Sequence, residues 1–423
     1  MTRVVLPFGA ATLGFEVPQR NLLGVYSPRA VTPVADLEAA IRAAVAEPLG
    51  QPRLADRVRP TDRVLILSDD NTRSTPADLI VPILLEELNA AGVKDDRVSC
   101  LMALGTHRYM SGQEMRRKLG ADVCRRLRVF NHEWQDPAQL VSLGCSSRGT
   151  PVRVNRAAVQ ADVVIGLGTV VPHHIPGFSG GGKIIQPGIC GAETTAATHM
   201  LSCSGGGDSL LGLADNEVRS DIEEIAGRVG METACNVVSD PQGGVAGVFF
   251  GRRAEVFARA VELARAVYGF SYPDEPDVVI AGAFPCELDF WQSHKALYPA
   301  QRMVRPGGTI VLCTPAPEGV SPVHAGVLGH ASLSSQEIRA AYAAGVLEDG
   351  VAAALAVAWA MVREKADVIT FSPGIRAADK KRLGHTHAPD MGWAVEEALR
   401  RQGRGARVAV LTHASEMLPL RDA

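Results

Sequence analysis

Between positions 173 and 199 the chain gathers side chains that a hydrophobic core has no use for. The run His173-His174-Ile175-Pro176-Gly177-Phe178-Ser179-Gly180-Gly181-Gly182-Lys183-Ile184-Ile185-Gln186-Pro187-Gly188 is followed by His199. Glycine offers no apolar surface and costs backbone entropy, so such a run lets the backbone approach a ligand closely. Amides freed by glycines can cradle an anion, and a lysine among them can neutralise it or bond to it covalently. Adjacent residues of an extended backbone point to opposite sides, which predicts that one of His173 and His174 faces the site and the other is structural. His199 lies on a helical pattern, where a histidine serves as a cap, a core residue, a base or a metal ligand.

Three shorter segments carry related chemistry. In Asp70-Asn71-Thr72-Arg73 the acid and the arginine could cap the helix starting near Pro76, yet a carboxylate also suits ribose hydroxyls and an arginine suits a carboxylate. His107, in Gly105-Thr106-His107-Arg108, is either a local hydrogen-bonding residue or an acid/base. In Phe290-Trp291-Gln292-Ser293-His294-Lys295, Trp291 and Lys295 stand four apart, which predicts one helical face. Lys295 could equally be surface charge.

The elements that must position these residues alternate short β-rich runs with helical patterns. Strands are expected at 63–68, 97–104, 161–167, 277–283, 309–313, 366–371 and 407–412, with helices at 77–91, 111–119, from about 290, and at 351–363. That alternation predicts an α/β fold with mainly parallel sheets. Each chemically rich segment follows the carboxyl end of an expected strand, where open α/β sheets place ligands. The turn-rich stretch 269–276 predicts two α/β domains, 1–272 and 276–404, with the active site in the cleft between them and with 405–423 packing back onto the first.

Composition bounds the function. At 423 residues, 46% hydrophobic, the chain can bury a large core. A net charge of −3 argues against a general binder of nucleic acid or membrane surfaces. No apolar run is long enough to span a membrane, and no signal-peptide pattern opens the chain. Eight scattered cysteines without framework spacing read as reduced thiols, and the expected location is the cytoplasm. Gly177 to Lys183 also fits the first part of a phosphate-binding loop, making a nucleotide hydrolase an alternative reading. Ile184 stands where that loop needs a Mg²⁺-binding hydroxyl, and Pro187-Gly188 oppose the helix that should follow.

Taken together, Asp70-Asn71-Thr72-Arg73, Gly105-Thr106-His107-Arg108, the run from His173 to Gly188 with His199, and Trp291-Gln292-Ser293-His294-Lys295 resemble, in order and spacing, the lactate racemase family of nickel-pincer-nucleotide enzymes. The resemblance spans essentially the whole chain. It implies an isomerase: a racemase or epimerase of a 2-hydroxy acid, acting by reversible hydride transfer through a 2-keto acid. Lys183 matches the lysine joined covalently to the cofactor, a nickel-bearing pyridinium-3-thioamide-5-thiocarboxylic acid mononucleotide, and His199 the histidine that completes the nickel coordination. His107 and His173 match a pair of acid/bases on opposite faces of the substrate. Arg73, Gln292, Lys295 and Trp291 match residues that hold or orient it. Asp70, Ser179, Gly180, Gly181 and Gly182 match the part that grips the nucleotide. The implied partners are a small 2-hydroxy acid and the enzymes that synthesise and load the cofactor.

Several positions depart from the family pattern. Ser74 and Tyr109 stand where prolines are usual, Trp291 replaces a tyrosine and Gly182 a bulkier residue. Ala352-Ala353-Ala354-Leu355 occupies the stretch where lactate racemase has an aromatic, which predicts room for a 2-hydroxy acid larger or more polar than lactate. A third reading, a nickel or cofactor carrier without catalysis, would need His199 but neither His107 nor His173.

Overall fold

Two six-stranded sheets organise the protein, whose computed structural model describes residues 1–204 and 209–422. In the first sheet Val64–Asp69 is central and every one of its residues is buried, as a parallel strand covered on both faces requires. Its side chains alternate between two cores: Val64 and Ile66 pack to one side, Leu65 and Leu67 to the other. Each such buried aliphatic side chain contributes roughly 1.5–3 kcal/mol. From edge to edge the order is Val245–Arg252, Thr233–Ser239, Val163–Thr169, Val64–Asp69, Val98–Ala103 and Arg128–Asn131. All neighbours are parallel except Val245–Arg252, which returns antiparallel beside Thr233–Ser239.

The second sheet is parallel throughout, in the order Thr386–Ala388, Asp367–Phe371, Thr309–Cys313, Val278–Gly282, Val408–Leu411 and Leu22–Tyr26. The fold is therefore α/β with mainly parallel sheets, and each strand expected from sequence is present within two residues at either end. Residues 1–26 differ from the expected unit 1–272. Leu22–Tyr26 pairs with Val408–Leu411, and the hairpin of Thr2–Phe8 with Ala11–Val17 buries Val4, Leu6, Phe15 and Val17 against Val278 and Ile280. Pairing between strands so far apart in the chain leaves no trace in local periodicity. The C-terminal strand Leu418–Arg421 runs parallel to Gly269–Tyr272.

A second difference lies at the helix expected from about 290. It is broken into Phe290–Ser293, a 3₁₀ turn at His294–Ala296 and a helix at Leu297–Met303, so Trp291 and Lys295 do not share the face of one regular helix. All eight cysteines are unpaired. Among the described residues no helix is long and apolar enough to cross a membrane.

Candidate active site

Because Val64–Asp69 lies between Val98–Ala103 and Val163–Thr169 and all three run parallel, their carboxyl ends open at one edge of the sheet. The loops that follow carry Asp70, His107 and His173. Together with Trp291, Gln292, His294 and Lys295 and with Val351 and Leu355 from helix Gly350–Lys365, they line one pocket. Asp70, Arg73, His107, His173, Ser179, Gly180, Gly181, Lys183, His199, Trp291, Gln292 and Lys295 all line it. Gly182 is the exception among the expected residues. Its amide donates to Glu223 Oε1 at 2.9 Å, and a Cβ there would meet Ala226, so it is turned toward helix Glu217–Arg228.

His107 is fixed at both ring nitrogens. Nδ1 lies 2.7 Å from Asp70 Oδ2, and Nε2 lies 3.1 Å from Gln292 Nε2. Lys295 Nζ is bonded to Gln292 Oε1, and an ammonium only donates, so the amide nitrogen of Gln292 must face His107. His107 therefore carries its proton on Nδ1 and presents a lone pair at Nε2. Burial lowers its pKa from 6.5, outweighing the Asp70 carboxylate that opposes the shift, so the ring is a free base at neutral pH. Asp70 is buried, yet His107, Arg73 and Thr72 hold its carboxyl well below the usual range. Its other oxygen accepts from the Thr72 amide at 3.0 Å, closing the turn that aims it, while the helix at Ala77–Ala90 has no side-chain cap.

His173 and His174 do not diverge as extended backbone would require. His173 ends a two-residue strand and His174 begins a turn, so the chain bends and the rings stack with centroids 4.7 Å apart at 13°. Both line the pocket. Tyr298 covers His174 at 3.8 Å and His294 meets it edge-on at 5.1 Å. His173 Nδ1 accepts from the Ile175 amide at 3.2 Å, so the neutral ring carries its proton on Nε2, the opposite tautomer from His107. Burial, reinforced by Lys183 and His174, drives its pKa well below 6.5.

The glycine loop is a close-approach surface. Gly180 sits at φ +80°, and a Cβ on it would fall 2.4 Å from Val170 Cγ2. Ser179 Oγ donates to the Thr169 carbonyl at 2.7 Å and accepts from the Val171 amide at 2.9 Å. Two residues that the sequence reading passed over hold the loop. Asn236 accepts from the Gly181 amide at 3.1 Å, and the buried Arg219 donates to the carbonyls of Gly180 and Phe178. Gly181–Ile184 is a 3₁₀ turn, so no α-helix begins at Lys183 and the phosphate-loop alternative lacks its helix. Burial, with Arg73, Lys295 and Arg219 nearby, pushes the Lys183 amine well below 10.5, which favours the uncharged, nucleophilic form. Lys295 is likewise lowered by burial and by Arg73, to about 8.

His199 projects from helix Ala192–Ser202, and its buried Nδ1 has no hydrogen-bond partner. Among the described residues no group of three or more His, Cys, Asp or Glu is placed to hold a metal by itself. A cofactor that brings three of a metal's donors needs only one side chain, and His199 beside the buried Lys183 and the glycine loop fits such a group. Trp134 and His324, which the sequence reading also missed, support the His107 loop. Trp134 donates to the His107 carbonyl at 3.1 Å and His324 to the Thr106 carbonyl at 3.2 Å. They stand far from the motifs in sequence, and no local pattern marks them.

The chain is similar to known proteins over most of its length. The chain is 26% identical over 324 residues to the lactate racemases of Thermoanaerobacterium thermosaccharolyticum and Lactiplantibacillus plantarum, covering 75% of this chain and 76% of each relative. The fold superposes on the lactate racemase apoprotein of T. thermosaccharolyticum with a TM-score of 0.88 at 23% identity, over 99% of this chain and 100% of that one. A Thermotoga maritima protein matches with a TM-score of 0.73 at 19% identity, over 91% of this chain and 98% of that one. Residues 8–208, just under half of the chain, match the lactate racemase N-terminal domain.

Proposed function

We propose that the protein is an isomerase, a racemase or epimerase of a 2-hydroxy acid, that uses a nickel-pincer nucleotide. The observation that carries this reading is the pair of histidines lining one pocket with opposite proton placement, an acceptor at His107 Nε2 and a donor at His173 Nε2. Removing the Cα proton beside an existing carboxylate is unfavourable, so inversion needs another route. When bound, the cofactor supplies reversible hydride acceptance, with His199 as its metal ligand, Lys183 as its covalent anchor and Ser179–Gly181 beside its phosphate.

The chain's own residues do the rest. Arg73 and Lys295 hold the substrate carboxylate, Gln292 fixes the rotation of Lys295 relative to His107, and Trp291 walls the substrate side. His107 Nε2 takes the hydroxyl proton as the carbonyl forms, and Asp70 stabilises the imidazolium that results. His173 faces the same oxygen from the other side; it returns a proton there as an imidazolium that has drawn its second proton from solvent, and His107 releases its own to solvent, which restores both rings. Turnover in the opposite direction requires His173 to accept at Nε2, so the ring's proton must move to Nδ1 and the 3.2 Å contact from the Ile175 amide must be released. Asp70, engaged with His107 and Thr72 through both oxygens, serves His107 in this reading rather than a ribose.

The test is reconstitution with cofactor followed by chiral chromatography of single-enantiomer 2-hydroxy acids, lactate included. His107→Ala and His173→Ala should each abolish turnover while metal stays bound. A carrier without catalysis would tolerate both changes.

A further inference from the structure

We propose that His324 is a positioning residue for His107 and Trp291, a protonated pin that ties three walls of the pocket together; its catalytic part rests on the racemase reading. His324 is 3% exposed and both its ring nitrogens are engaged with groups that only accept. Nδ1 lies 2.6 Å from Asp349 Oδ2, and Nε2 lies 3.2 Å from the Thr106 carbonyl. A carbonyl and a carboxylate at the two nitrogens require a proton on each, so the ring is an imidazolium in this arrangement.

Its faces are used as well. Trp291 stacks on one at 4.3 Å and 12°, and Trp134 lies against the ring at 5.8 Å and 23°. A flat cation against indole is stabilised by the ring quadrupole as well as by contact. Trp291 is thereby held as a fixed plane of the pocket wall.

The pin reaches three elements. Through Thr106 it grips the loop whose next residue is His107, and Trp134, packed against it, holds the His107 carbonyl at 3.1 Å. Through Trp291 it meets the segment that carries Gln292 and Lys295. Through Asp349 it reaches helix Gly350–Lys365, because Asp349 Oδ1 accepts from the Ala352 amide at 3.0 Å and caps the helix that supplies Val351 and Leu355. Although burial opposes it, the His324 bond helps hold the Asp349 carboxyl below its usual range. One cation thus sets the spacing between the base and the substrate wall.

His324→Phe keeps an aromatic slab and removes both donors, while His324→Arg keeps a planar cation with donors. His324→Phe should lower kcat by about tenfold to a hundredfold with KM nearly unchanged, because a small displacement of the base is felt in the chemical step. His324→Arg should recover part of that loss. Asp349→Asn, which keeps an oxygen for the helix cap, should fall in the same direction as His324→Phe and decides the matter should His324→Phe not fold. In the cofactor-free protein, imidazole ¹⁵N spectra should show two N–H protons on His324 and a shifted His107 ring in His324→Phe. Unchanged kcat in His324→Phe or Asp349→Asn, an arginine variant no better than phenylalanine, or an unmoved His107 resonance overturns the proposal. The spectra need no substrate, so they separate its failure from failure of the racemase reading.

Discussion

Asp70 Oδ2 lies 2.7 Å from His107 Nδ1 across 37 residues of sequence, and this contact decides which nitrogen of His107 faces the pocket. Asp70→Asn keeps the shape and removes the charge, so the imidazolium formed during turnover loses its partner. We expect kcat to fall by about a hundredfold or more, with KM changed only about twofold. Steady-state kinetics in both directions of racemisation would check this, and an unaffected kcat would return Asp70 to cofactor binding.

Lys295, lowered to about 8 by burial and Arg73, sets an alkaline limit. Below that value the ammonium can hold a carboxylate; above it the amine is neutral and the attraction is lost. KM should therefore rise as pH passes about 8, by roughly tenfold per unit while the group titrates. Lys295→Arg should move the limb out of range, since guanidinium stays charged. A pH profile of kcat/KM for the two proteins measures the difference.

Buried imidazoles make the fold sensitive to acid. His132 is lowered by burial to about 4 and His385 to about 3, and His173, His174 and His294 are driven well below 6.5. In the fold these rings stay neutral, while the unfolded chain protonates them below about 6.5, so their contribution is lost as pH falls. Each costs about 1.4 kcal/mol per pH unit within its window. Glu287 and Glu416, raised by burial to about 7, and Asp289, raised to about 6, act in the opposite sense. The imidazoles prevail by number, and the thermal midpoint of the cofactor-free protein should drop between pH about 6.5 and about 4.5. A flat midpoint there would contradict the burial of these rings.

Gly180 is needed for its backbone. At φ +80°, with Val170 in the place of a Cβ, Gly180→Ala carries both a left-handed penalty and a clash. We expect a loss of about 2–4 kcal/mol in urea unfolding. Gly144, also at positive φ but with nothing within 4 Å, should lose less on the same change, about 1–2 kcal/mol.

The sequence by itself determined the strands and the residues that gather at their carboxyl ends. Buried parallel strands such as Val64–Asp69 are continuous apolar runs, and the glycine loop with its lysine is unlike any core segment, so both are legible in local composition. Tertiary structure alone decided the rest. The pairing of Leu22–Tyr26 with Val408–Leu411 joins residues from opposite ends of the chain. The bend at His174 turned two expected opposites into a stack, and Gly182 faced a helix instead of the pocket. Proton placement on His107, and the part played by Asp70, Gln292, Trp134 and His324, depend on hydrogen bonds between groups that approach only once both sheets are folded. Periodicity records which side of an element is buried; it does not record which distant side chain arrives there, and at this site the arriving partner fixes the chemistry.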